Sequence, residues 1–138
     1  MKDLFHSLHP VMAIAPVAVS DNTPLVSAVI DRQGYDSASF VILTGALADA
    51  DASFTALLEE SDDGASFSAV ADSDLLGTEA LASFTFADDS ETRKLGYAGA
   101  KRHLRLTVTP AANASSALIA AVALLDHPHL APTANPPV

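Results

Sequence analysis

The run from Phe54 to Val70 constrains this chain more than any other stretch. Two alternating apolar segments flank Ser61-Asp62-Asp63-Gly64. Asp-Gly between alternating hydrophobics is a strong hairpin signal, because glycine accepts the positive φ that a tight turn demands. Phe54, Ala56 and Leu58 alternate with Thr55, Leu57 and Glu59, and Ser66 to Val70 forms the returning arm. The run predicts a β protein and contains no reactive group.

Other segments extend that reading. Leu25 to Ile30 reads as a strand. Ser39 to Leu47 is β-branched and apolar on both faces, which predicts a central strand. Leu81 to Phe86 reads as a short strand, after an Ala71–Glu79 loop with room for one helical turn. Lys101 to Thr109 alternates most cleanly: Leu104, Leu106 and Val108 face inward, His103, Arg105 and Thr107 outward, and Pro110 ends it. Ser116 to Leu125 is a last apolar strand, favoured over a helix by Ile119 and Val122. Acidic turns separate these segments. About seven short strands in 138 residues predict one all-β domain, a sandwich or jelly roll. The expected organisation is an N-terminal arm over residues 1–24, a β-sandwich over 25–126 and a Pro-rich tail over 127–138.

Composition narrows the function. The chain holds 17 Asp and Glu against 7 Lys and Arg, for a formal net charge of -10. Phosphate binding runs on Lys and Arg, so nucleic acid is not an expected partner. Five cations, Arg93, Lys94, Lys101, Arg102 and Arg105, nevertheless fall close together, and this asymmetry predicts a contact with an acidic surface, the chain's own or a neighbour's. Without cysteine there is no disulfide framework or thiolate metal site. Val11 to Val19 mimics a signal-peptide core, but Pro10 and Pro16 interrupt it. Ala117 to Leu125 falls far short of the ~20 residues that a membrane-spanning helix needs.

No catalytic constellation has credible spacing. A Gly-x-Ser-x-Gly elbow and a Gly-rich phosphate loop are both missing from the sequence. The acidic pairs Asp49/Asp51, Asp62/Asp63, Asp72/Asp74 and Asp88/Asp89 fit turn chemistry; Asp72 to Glu79 lacks the spacing of a Ca²⁺ loop. His127 and His129 would need further ligands to hold zinc. Asn113-Ala-Ser115 is a chance match to a glycosylation sequon. The expectation is a protein without enzymatic activity, cofactor or metal.

Four segments carry a resemblance: Gly34 to Phe40, Leu58 to Gly64 with Phe67, Leu76 to Glu79, and Arg93 to Tyr97 running into Lys101–Val108. In this order they resemble the capsid decoration, or cement, proteins of tailed bacteriophages and prophages, whose genes lie beside the major capsid gene. The resemblance spans about residues 30–110 and most of the N-terminal arm. It implies a jelly-roll-like β-sandwich with extended arms, a non-enzymatic virion protein made in the host cytoplasm, and a place on the outer capsid surface. The implied partners are the major capsid protein and sister copies in a dimer or trimer. A tail-tube or head–tail connector module, or a surface carbohydrate-binding domain, is the alternative.

The candidate partner-binding residues are the five clustered cations and the apolar side chains of the arm: Leu4, Phe5, Leu8, Val11, Met12, Ile14 and Val17. That is more apolar surface than a free tail should expose. Pro10 and Pro16 discourage a central strand, so the arm is expected to dock on a partner rather than fold onto its own core.

Overall fold

Alternation of inward and outward side chains along the strands builds two facing sheets. The computed structural model describes residues 2–137. Along the chain run β1 (His9–Val19), β2 (Leu25–Val26), β3 (Ile30–Asp31), β4 (Tyr35–Leu47), β5 (Ser53–Ser61), β6 (Ser68–Ala69) and β7 (Leu75–Leu76). The helical turn α1 (Glu79–Ala82), β8 (Phe84–Thr85), β9 (Thr92–Tyr97), β10 (His103–Ala111) and β11 (Ala117–Pro128) follow. One sheet has the order β1-β11-β4-β9-β7; the other runs β2-β10-β5-β6, with β3 added beside β10 and β8 beside β5. All described pairings are antiparallel. The result is the all-β sandwich that the alternation predicts.

The core lies between the sheets. Phe40, Ile42, Leu95, Ile119 and Leu125 from the first meet Phe54, Leu58, Leu104, Leu106 and Val108 from the second, all at most 2% exposed. Phe54 and Phe84 stack, with ring centroids 4.9 Å apart. Each such side chain contributes roughly 1.5–3 kcal/mol on burial. The Lys101–Thr109 alternation is realised in β10, which continues through Pro110 opposite Phe54 rather than ending there. β4 is central, as its two-sided apolar pattern predicts. In the hairpin, Gly64 takes φ 77°. Asp63 accepts from the backbone N–H groups of Ala65 and Ser66, so the turn is wider than two residues and β6 is short.

Three expectations change. The Leu25–Ile30 strand splits into β2 and β3, because Ser27 between them turns its buried hydroxyl to accept from the Leu106 N–H. The Leu81–Phe86 strand begins instead inside α1, where the Thr78 hydroxyl accepts from the Leu81 N–H as an N-cap. Most consequentially, the N-terminal arm is not free: β1 pairs with β11 from His9↔Leu125 to Val19↔Ala117. Ala13, Ile14 and Val19 join the chain's own core. Pro10 and Pro16 are tolerated because β1 is the sheet edge, and register shifts between Met12 and Val17 absorb the irregularity. The Pro-rich tail also returns: Thr133 donates its N–H to the His6 carbonyl and its hydroxyl to the Leu8 carbonyl.

Deleting residues 1–19 is therefore expected to destabilise the isolated domain. Losing the burial of Ile14 and Val19 should lower the thermal midpoint by roughly 10–20 °C in circular dichroism. An unchanged midpoint would show that β1 adds nothing to the core.

Candidate docking surface

The outer face of the five-stranded sheet departs from ordinary patterning. An antiparallel sheet with one side in water normally alternates apolar-in with polar-out. Here β4 and β11 are apolar on both sides, yet the second sheet covers only one. Strand register sets the outward side chains in rows: Pro10, Leu124, Ser39, Gly96 and Leu76; then Met12, Val122, Val41 and Lys94; then Ala120, Leu43 and Thr92. Ala18 and Leu118 continue the surface beside Gly45. Met12 is 59%, Leu76 58%, Leu118 45% and Leu43 42% exposed, so these large side chains stand in solvent.

Two glycines shape this face. A Cβ on Gly45 would stand 2.9 Å from the Leu118 Cβ, and one on Gly96 would stand 2.8 Å from the Leu76 Cβ. Leu118 and Leu76 therefore lie down across the neighbouring strand, which flattens the surface and widens its apolar area. Two shallow depressions open on it, of about 330 and 370 Å³; Leu43 and Pro16 line both. A larger one, about 580 Å³, lies between Leu76, Leu81, Ser39 and Lys94. No acidic side chain falls in these rows.

The structure divides the sequence candidates. Met12 sits on the face, and Val17 is exposed on the edge strand. Ile14 is 6% exposed and packed in the core, so it is not a partner contact. Val11 is half-buried against the core and Leu8 is half-buried under the returning tail. Leu4 and Phe5 are exposed at the end of the sandwich where the two termini meet, with Leu4 and Ala131 lining one depression there. The sequence singled out the arm and missed the face itself, although the two-sided apolar pattern of β4 and β11 was its signal.

The basic cluster is mostly spoken for. Arg93 pairs with Asp88 and Glu91, Lys101 with Asp62, Arg102 with Asp31 and Arg105 with Glu59. Arg105 also covers the Phe67 ring at 4.2 Å. Thus four of the five clustered cations find their acidic surface on the chain itself. Lys94 is the exception: it has no ion pair among the described residues.

The remaining polar groups serve structure. Tyr97 donates to Glu60 at 2.6 Å and accepts from the Lys101 N–H; burial and the Glu60 hydrogen bond push its phenol up to about 12. His127 bonds Ser37 and His129 bonds Asp36, so the two histidines have separate partners. Among the described residues no three His, Cys, Asp or Glu gather where a metal ion would bind. Asn113 of the sequon is buried and donates to the carbonyls of Val19 and Asp21.

No family model matches the chain, and no curated protein matches it either. Among solved structures it is similar to the PBSX exported protein XepA, at TM-score 0.54 and 13% identity over 85% of this chain and 36% of that one. The chain thus spans little more than a third of that protein's length. A xylan-binding module, CBM15, aligns at TM-score 0.45 and 11% identity over 93% of this chain and 95% of the module. The CBM22-1–GH10 portion of Clostridium thermocellum xylanase 10B aligns at 0.44 and 8%, over 91% and 27%. At these identities the XepA likeness speaks to fold alone, and the two weaker alignments carry no argument.

Two turn carboxylates predict the acid limit of stability. Hydrogen bonds from Arg102 hold Asp31 down to about 2, and the N–H groups of Ser66 and Ala65 with the Ser61 hydroxyl hold Asp63 down to about 2. Both are depressed from the ordinary 3.8, so the unfolded chain takes up these protons first as pH falls. Their stabilisation is complete above about pH 4 and is lost as pH drops toward 2. Urea midpoints at pH 6, 4, 3 and 2 should fall mainly across that window. A doubly substituted Asp31→Asn, Asp63→Asn chain should show a shallower fall; an identical profile would remove these groups from the account.

Proposed function

We propose that this chain is a non-enzymatic structural protein of a phage virion, a decoration or cement protein. It docks through the outer face of its five-stranded sheet on the outer surface of the capsid and reinforces capsomer contacts. The carrying observation is the largely apolar sheet face that no other described residue covers. Exposed apolar patches of this extent mark interaction sites. Five strands at about 4.8 Å spacing make a platform roughly 24 Å wide, enough to supply most of the ~800 Å² that a partner contributes to a standard interface. The sequence resemblance to capsid decoration proteins supplies the partner, the major capsid protein. Cementing two capsomers needs a second contact, and the exposed Leu4, Phe5 and Leu130 at the paired termini offer one.

A carbohydrate-binding reading finds no support on this face. Sugar rings stack on exposed aromatics, and the outward rows contain none; Phe40, Phe54, Phe84 and Tyr97 are buried, and Tyr35 stacks on His9.

The test is co-sedimentation of the purified chain with capsids of the encoding phage stripped of it. The wild type should saturate the particles in a fixed ratio to capsid protein. Met12→Glu combined with Leu43→Glu should keep the thermal midpoint, since both side chains are exposed, yet bind at least tenfold more weakly. Undiminished binding would move the contact off this face. Failure of the wild type to bind at all would sink the capsid assignment.

A further inference from the structure

Resting on that docking face, we infer that the partner meets it with an apolar surface carrying a carboxylate opposite Lys94, and that this pair sets the register of docking. Lys94 projects outward from β9, directly opposite Val41 and in the row of Met12 and Val122. It borders the depression lined by Leu76 and Leu81. It is the lone charged side chain in those rows, on a chain with 17 carboxylates. Neighbouring acids are already engaged: Asp88 and Glu91 hold Arg93, and Glu79 accepts from the Leu58 N–H. The other cations of the folded sandwich have partners too; Arg32 donates to the carbonyls of Gly99 and Lys101.

Lys94 stands among apolar side chains and the hydroxyl residues Ser39, Thr78 and Thr92, with Arg93 on the same depression, and costs little while solvent reaches it. Covering the face removes that solvent, and a buried ammonium then needs an opposite charge and hydrogen-bond acceptors. Within the rows the chain offers the Ser39 and Thr92 hydroxyls as acceptors but no opposite charge, so the partner must bring the charge. A second copy of this chain is a poor occupant of the face. It would bring another Lys94 in place of a carboxylate, and each copy carries a net charge of -10. A partner of different sequence with an acidic group amid apolar side chains meets both requirements. An apolar face alone allows many sliding positions; one buried charge pair selects among them.

The same co-sedimentation assay decides it, with Lys94→Glu, Lys94→Met and Lys94→Arg run beside wild type and the Met12/Leu43 variant. Lys94→Glu should bind at least tenfold more weakly at an unchanged thermal midpoint. Lys94→Met should also weaken binding, because it strands the partner's carboxylate, whereas Lys94→Arg should stay within about threefold of wild type. Lys94→Met binding as well as wild type, while the Met12/Leu43 variant still fails, would overturn the carboxylate inference and leave the docking face standing. Lys94→Met driving the free chain into dimers by light scattering would also overturn it, making Lys94 a guard against self-association. Loss of wild-type binding, or full binding by the Met12/Leu43 variant, would overturn both readings.

Discussion

The ladder between β4 and β11 holds the molecule together. It runs from Ala117↔Leu47 to Pro128↔Tyr35 and joins residues about 70 to 90 positions apart in sequence. β11 also pairs with β1 on its other side, so the last strand of the chain completes the sheet that the first one begins. The place of β1 follows from that insertion. Ile14 and Val19 reach the core because β11 holds β1 in register, and the two termini meet at one end because β1 begins there and the antiparallel β11 ends there. Such non-local pairing closes long loops before it is rewarded, which places the fold among the slower topologies.

Filling both sides of that ladder with apolar residues creates a core and leaves a surplus. Phe40, Ile42, Ala121 and Ala123 point at the second sheet, while Val41, Leu43, Ala120 and Val122 point at solvent. The second sheet has a different balance. Its outer side carries Glu59, His103, Arg105 and Thr107 beside Leu57 and Val26, with Arg105 and Thr107 both reaching toward Glu59. One side of the sandwich therefore presents charged and hydroxyl groups to water, and the other presents mostly apolar ones.

Charge is arranged around this division. Asp62, Asp31, Glu59 and Asp88 each lie within hydrogen-bond distance of a cation that the sequence placed in a single basic run. The Lys101–Asp62 and Arg102–Asp31 pairs are exposed and screened, so each adds little stability. The larger effect of the four pairings is to leave the basic run without free charge except at Lys94. A cluster that looks in one dimension like a patch for an acidic partner becomes, in three, a set of internal links and one solitary ammonium.

The sequence by itself determined the β class, the inward set Leu104, Leu106 and Val108, the central place of β4 and the glycine turn at Gly64. Each rests on a local rule: a period of two, β-branching on both faces, or the conformational freedom of one residue. Only the tertiary structure decided that Ile14 is core while Met12 is surface, since a bulged edge strand breaks the alternation that would have put both on one face. It alone decided which carboxylate each arginine meets, because those partners are 46 to 71 residues distant along the chain for Arg105 and Arg102. The exposed apolar face also waited for the fold. An apolar pattern on both sides of a strand says that both sides want cover, but the number of layers decides which side receives it within the chain.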